Sequence, residues 1–433
     1  MDDMLVIGQR RPALWVSAIM LGSALAIPTL VAPVNSASAA ETCSEVPREN
    51  PITEFTDYQE MLNELARIER VSGGKVQVTQ VGRSNRGRLL QTARVGTGRK
   101  VILITSEIHG NEKTGTDATL RLLDFLATSE SRKAQTIRRE LTIVAIPKMN
   151  PDAAELDRRG NDMTWQEVQA RFPQLRGAPP AWNHITGQQQ GDDYRTRPGF
   201  DVNRDYNPDL AYRPRPQDFP GVSEKPGWFI TPEAQTVRDV YLGLKQEFGN
   251  VDTYIDLHHQ GACYKVAGTN RFVTLSLSGK FIADPTTPEG AVWAKYRNQY
   301  DLKYNKQLNV AAYNALQGAA NERPAFGNIT LYPQDINLPG TGLATFTLNG
   351  SGAVLFEVRG QTQTLGQRHR EMLTRAVNIG LDGILSAVSS GQVRNLDPAV
   401  YDRIPLTDRG GAGEDEDFPT STPAPTVPVV AGF

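Results

Sequence analysis

Cysteine is nearly absent from this chain of 433 residues, which has only Cys43 and Cys263. No cysteine-built metal framework fits that count. A disulfide scaffold reduces to one bridge at most, with two unrelated thiols as the alternative. Neither sign of charge is in excess, since 46 Lys and Arg stand against 48 Asp and Glu. No long basic run and no internal repeat occurs, which argues against a nucleic-acid binder. Histidine is scarce too, with five in all, so each can be weighed individually. What remains is ordinary for a globular protein, 39% hydrophobic and 22% charged, and long enough for one large domain or two to three average ones.

Residues 1–40 read as a signal peptide. Arg10 and Arg11 precede the apolar run "ALWVSAIMLGSALAIPTLVA", and Ala37-Ser38-Ala39 has the small-x-small pattern of a cleavage site. The alternative is a retained membrane anchor, although Gly22 and Pro28 interrupt the run. The arginine pair also fits twin-arginine export. The expected location is therefore extracytoplasmic, secreted or periplasmic, with no membrane association unless the leader is kept. A short polar lead, 41–53, follows. Residues 408–433 are acidic, then rich in Pro and Thr, and read as a disordered tail.

Between these ends, helical and strand periods alternate. "YQEMLNELARIERVSG" predicts an amphipathic helix and "KVQVTQVG" a strand. "GRSNRGRLLQTARVG" predicts a hairpin around Gly87. "KVILITSE", "ELTIVAIPKMNPD", "VDTYIDLHHQG" and "GAVLFEVRG" are apolar strands suited to burial on both faces. "DATLRLLDFLA", "TPEAQTVRDVYLGLKQEF" and "RHREMLTRAVNIGLDGILSAV" are helices, the second with Thr231 as cap and Pro232 at its first position. Residues 161–200, rich in Pro, Gly and Gln, read as an insertion loop with one short helix near Trp165 to Phe172. The pattern predicts an α/β fold: a single domain over 54–395, with a mixed, largely parallel sheet flanked by helices. Ligands in such sheets bind at the carboxyl ends of strands.

Polar residues collect at those ends. His109 and Glu112 follow the strand "KVILITSE", three residues apart, as two metal ligands or as a plain polar turn. Thr114 or Thr116 is available to cap the helix that follows. A catalytic zinc needs a third protein ligand and a position open to water. His184 lies in the insertion, and His369 sits between Arg368 and Arg370 on a helix. In "YIDLHH", Asp256 and His258 share one strand face and His259 takes the other, which favours His258. Asn203 and Arg204, in "FDVNRDYN", suit a substrate carboxylate, the alternative being an exposed ion pair with Asp201 or Asp205. Glu357 lies inside the apolar strand "GAVLFEVRG". A carboxylate there is costly unless it is paired, as with Arg359, or works as a proton shuttle.

"HGNE", "NPDAAELDRRGN", "DVNRDYN", "DLHH", "YPQDINLPGTG" and "FEVRG" occur in the order and rough spacing of the zinc carboxypeptidases, and the chain resembles that family over nearly all of 54–390. The resemblance implies a metallocarboxypeptidase with one zinc ion, held by His109, Glu112 and His258. It implies Glu357 as the catalytic glutamate, and Arg159, with Arg158 as its rival, as stabiliser of the transition-state oxyanion. Asn203 and Arg204 would hold the substrate's terminal carboxylate, and Tyr332 would close over it. Substrates would be peptide or protein carboxyl termini, handled by a monomer. The stretch "INLPGTGLATFTLNGSGAVLF", where a pocket wall falls by resemblance, has no acidic residue, which favours neutral or apolar terminal residues. The insertion is longer than in many members, and the short lead leaves no room for a folded pro-segment. A cell-wall peptide amidase of the same fold is the second reading. An inactive binding protein is the third, disfavoured because every ligand position is filled. Deacylation of small amino-acid conjugates is the fourth, and it fits Asn203, Arg204 and Tyr332 less well.

Overall fold

The run Val101-Ile102-Leu103-Ile104 has no polar side chain to turn toward water, so it must lie inside a sheet covered on both faces. The computed structural model, which describes residues 55–360 and 366–410, makes it the middle of strand β3 (Lys100–Ser106), and all four residues are fully buried. The signal segment, the polar lead, Cys43 and residues 411–433 lie outside the described residues, as does the side chain of Arg368.

The other strands of the sheet are β1 (Val76–Arg83), β2 (Leu89–Val95), β4 (Leu141–Ile146), β5 (Thr253–Gln260), β6 (Leu275–Ser278), β7 (Ile329–Leu331) and β8 (Gly352–Arg359). The eight strands run in the order β1-β2-β4-β3-β5-β8-β6-β7. The central run β4-β3-β5-β8 is parallel throughout. The β1–β2 hairpin, the β2–β4 pair and the β8–β6 pair are antiparallel. The sheet is thus mixed, and its parallel core has one common carboxyl end.

Alternation along the strands sends side chains to two cores. Ile102, Ile104, Ile255 and Phe356 pack on α1 (Tyr58–Val71), α2 (Thr114–Thr128), α3 (Arg132–Glu140), α7 (Leu302–Ala319) and α9 (Gly366–Ser389). Val101, Leu103, Tyr254 and Leu355 face α6 (Pro232–Phe248) and α8 (Gly342–Leu348). The short helix α4 (Pro151–Glu155) follows β4, and α5 (Trp165–Arg171) stands in the insertion. The insertion has a small core of its own, with Trp165, Val168, Leu175 and Phe200 packed on Phe219 and Trp228. It is clamped to the hairpin turn by Arg86, which reaches Asp162 at 2.8 Å and Glu167 at 2.6 Å.

Packing continues beyond α9. Tyr401 and Ile404 bury against Val310 and Leu331. Thr407–Asp408 then pairs antiparallel with Lys265–Val266. The Thr407 hydroxyl joins those of Ser276 and Thr330, at 2.9 and 2.7 Å. Cys263 sits in a disulfide. No helix among the described residues is long and apolar enough to cross a membrane.

Candidate metal centre

β3, β5 and β8 end side by side, and each delivers polar side chains to the same edge. After β3 the chain makes a tight loop before α2. Gly110 lies so close to α4 that a Cβ on it would fall 2.0 Å from the Ala153 carbonyl carbon, so only glycine fits there. The Asn150 side chain donates to Ile108 O at 2.8 Å and ties the loop to the end of β4. α2 has no side-chain cap of the kind expected from Thr114 or Thr116. Instead the Thr114 N–H donates to His259 Nε2 at 2.9 Å, and the Thr116 hydroxyl reaches Glu107 and Pro147 O. A tertiary contact therefore replaces the local cap, and it accounts for His259 on its own face of β5.

His258 points the other way, toward His109 and Glu112. His109 Nδ1 is 2.7 Å from Glu112 Oε1, and His258 Nδ1 is 2.8 Å from Glu112 Oε2. The donor atoms of these three residues all lie within 4.8 Å of one another. All three side chains are buried. The outward nitrogens are taken by two further carboxylates. His109 Nε2 is 3.2 Å from Asp201 Oδ1, and His258 Nε2 is 3.1 Å from Asp256 Oδ2. Each imidazole is thus gripped at Nε2 and presents Nδ1 to a shared centre, the way a metal-binding histidine is oriented by a carboxylate. Two imidazoles and one carboxylate make a zinc donor set with room for a water, and these side chains fit it.

The electrostatics agree. Burial works against an ionised Glu112, but the two imidazoles outweigh it and hold its pKa well below the ordinary value. Burial likewise opposes a charged His258, yet Asp256 and Glu112 raise its pKa well above the usual imidazole range. Asp201 is equally buried, and Arg159, Arg204 and His109 overcome that burial to hold it ionised.

Glu357 on β8 is in register with His258 on the neighbouring parallel strand, and both side chains project from the same face. Arg359, its rival partner by sequence, donates to Ala262 O at 2.8 Å and stacks 4.4 Å over Phe272. Arg159 reaches the cluster: its Nε donates to Asp201 Oδ2 at 3.0 Å, and its Nη1 lies 3.8 Å from Glu112 Oε1. Arg158 turns away, onto the carbonyls of Gly160 and Arg197 and 4.3 Å above the Tyr194 ring. Asn203 and Arg204 are each 5% exposed, which removes the exposed-ion-pair alternative. Asn203 Nδ2 lies 3.4 Å from His258 Nε2, and its Oδ1 accepts from Gly342 N. Tyr332 packs flat on Phe281, with Arg409 5.0 Å above its ring.

His184 is apart from this centre. It lies against Phe200, and burial pushes its pKa down to about 4. Sequence reasoning had no role for Asp201 and Asp256 beyond ion pairing and strand facing. The available signal was their spacing: Asp201 precedes Asn203 by two, and Asp256 precedes His258 by two.

The zinc carboxypeptidase family model matches residues 61–323, a span that contains His109, Glu112, Arg159, Asn203, Arg204 and His258 and stops before Tyr332 and Glu357. No curated protein sequence matches. Among solved structures, carboxypeptidase A from Helicoverpa armigera is similar with a TM-score of 0.51 and 16% identity, over 83% of this chain and 78% of that one. Bovine thrombin-activatable fibrinolysis inhibitor in complex with tick carboxypeptidase inhibitor is similar with a TM-score of 0.50 and 13% identity, over 78% of this chain and 98% of that one. At these identities the likeness is one of fold.

Proposed function

We propose that this chain, which belongs to the zinc carboxypeptidase family, removes single residues from the carboxyl ends of peptides outside the cytoplasm. It is a metallocarboxypeptidase, and its cofactor is one zinc ion. The observation that carries the substrate reading is the buried pair Asn203 and Arg204 next to the His109–Glu112–His258 cluster.

His109 and His258 would hold the ion through Nδ1, and Glu112 through its carboxylate. When bound, zinc supplies Lewis acidity that polarises a carbonyl and acidifies water. Glu357 accepts the proton of the attacking water and returns it to the departing amine nitrogen. Arg159, oriented at Nε by Asp201, brings its guanidinium charge to the oxyanion, where a fixed charge lowers the barrier most. Arg204 and Asn203 bind the substrate's terminal carboxylate by charge-assisted hydrogen bonds and so fix which carbonyl meets the metal. Tyr332 covers the bound residue.

Neutral or apolar terminal residues are the preferred substrates. Asp256, in register with Leu355 of the pocket-wall stretch, is engaged by Thr105 and His258. The export reading rests on the leader alone, with Arg10, Arg11 and the Ala37-Ser38-Ala39 site. The test is to incubate the mature protein with a mixed peptide library, with and without chelator, and read the products by mass spectrometry. Chelator-sensitive loss of single carboxyl-terminal residues is expected. Cleavage of muropeptides alone, or of internal bonds, would overturn the reading. Glu357→Gln should lower kcat by a factor of about 10² to 10⁴.

A further inference from the structure

Four non-glycine residues among those described have a left-handed backbone, and two of them are acids flanking the site: Glu107 with φ 57° and Asp157 with φ 46°. Glu107 stands two residues before His109, and Asp157 two before Arg159. Such a backbone is disfavoured for both side chains and persists only where the surroundings hold it. Here the surroundings are two buried lysines. Lys148 Nζ is 2.6 Å from Glu107 Oε2, which also accepts from Thr116 at 2.5 Å. Lys113, next to Glu112, lies 3.6 Å from Glu107 Oε1 and 3.4 Å from Asp157 Oδ1. The same ammonium donates at 2.9 Å to Gly110 O in the metal-ligand loop and at 2.9 Å to Ala154 O in α4. Glu107 and Lys148 are 0% and 2% exposed. Two acids and two lysines balance in charge, so Glu107, Lys148 and Lys113 sit buried, with Asp157 half-buried at their edge, without a net ion to solvate.

We propose that Glu107, Lys148 and Lys113 are positioning residues, which lock the left-handed turns that aim His109 at the metal and Arg159 at the reacting carbonyl. The inference rests on the zinc-carboxypeptidase reading of the site. None of the three touches substrate or metal. Lys113 is the joint: one side chain ties the loop that carries both loop ligands to the turn that carries the oxyanion arginine. A local bend in either segment would leave the fold intact and misdirect the first side chain that follows it.

The test uses the full chain and reads zinc affinity by competition with a chromophoric chelator, with steady-state kinetics beside it. Glu107→Ala loses the tether and keeps a residue that resists the turn, so its zinc Kd should rise about tenfold, the low end for loss of a group that orients a metal ligand. Glu107→Gly also loses the tether but adopts the turn freely, and should recover part of that loss. Lys113→Met should lower kcat about tenfold while KM stays within twofold, because Arg159 acts in the transition state. Glu107→Gln, which keeps the shape, stands in if the alanine variant does not fold. Leu65→Ala, a truncation in the core under α1, is the control: it should lower Tm and leave zinc Kd and kcat unchanged. If Glu107→Ala or Glu107→Gln lowers Tm like the control while zinc Kd stays within twofold of wild type, the proposal fails. If wild type itself binds no zinc, the reading of the site fails instead.

Discussion

Glu233 offers a test of the electrostatics whose sign can be worked out beforehand. It is fully buried at the start of α6, where Asn161 Nδ2 donates to its Oε2 at 3.1 Å and Oε1 has no hydrogen-bond partner among the described residues. Burial first, and the charge of Asp152 second, push its pKa up to about 7. An unfolded glutamate titrates near 4.3, so the folded chain binds the extra proton between these limits. Stability therefore falls as pH rises from about 4.3 to about 7 and then levels off, by about 3.5 kcal/mol at 1.36 kcal/mol per unit. Glu233→Gln keeps the acceptor for Asn161 and cannot ionise. Urea denaturation of both proteins should give equal stabilities, or a slightly weaker variant, at pH 5. At pH 8.5 the variant should be the more stable, by about 2 to 3 kcal/mol. The difference between the two proteins isolates this group from every other ionisable group, since all the others are common to both. Parallel pH profiles would refute the argument, since they would mean that Glu233 is ionised across the whole range or never. Asn161 follows Arg159 by two residues, so a loss of kcat above pH 7 that is absent in the variant would tie the same proton to the arginine loop.

Three other outcomes are expected. Asp201→Asn weakens its hold on both His109 Nε2 and Arg159 Nε, so zinc Kd should rise by about 10- to 100-fold with kcat reduced as well; chelator competition measures the first, and an unchanged Kd would remove Asp201 from the site. Arg159→Ala should cut kcat by about 10² to 10³ with little change in Tm, whereas Arg158→Ala, which frees backbone carbonyls of the insertion, should lower Tm and spare kcat; the reverse would exchange their roles. Chelation should destabilise the fold, because zinc at a thousand times its Kd contributes about 4 kcal/mol, and calorimetry with and without chelator reads this directly.

Much of this protein is local and therefore legible in its sequence. Period and composition distinguish the buried strand at Val101–Ile104 from the amphipathic helix at Tyr58–Val71. The period of two on β5 separates His258 from His259, because alternate side chains leave a strand on opposite faces whatever it pairs with. Single residues in unlikely places, such as Glu357 in an apolar run, mark the edge where chemistry collects. Partners are a different matter. Glu112 meets His258 only because β3 and β5 are neighbours, although 146 positions separate the two side chains. Arg158 and Arg159 are indistinguishable as text, and the fold separates them by giving one a set of carbonyls and the other Asp201. Glu107 reads as an arbitrary polar residue until Lys148, 41 positions on, is seen to grip it. Secondary structure and facing follow from torsions and burial over a few residues, so the sequence determined them. Which carboxylate stands behind which histidine depends on strand order, and that is decided only when the whole sheet assembles.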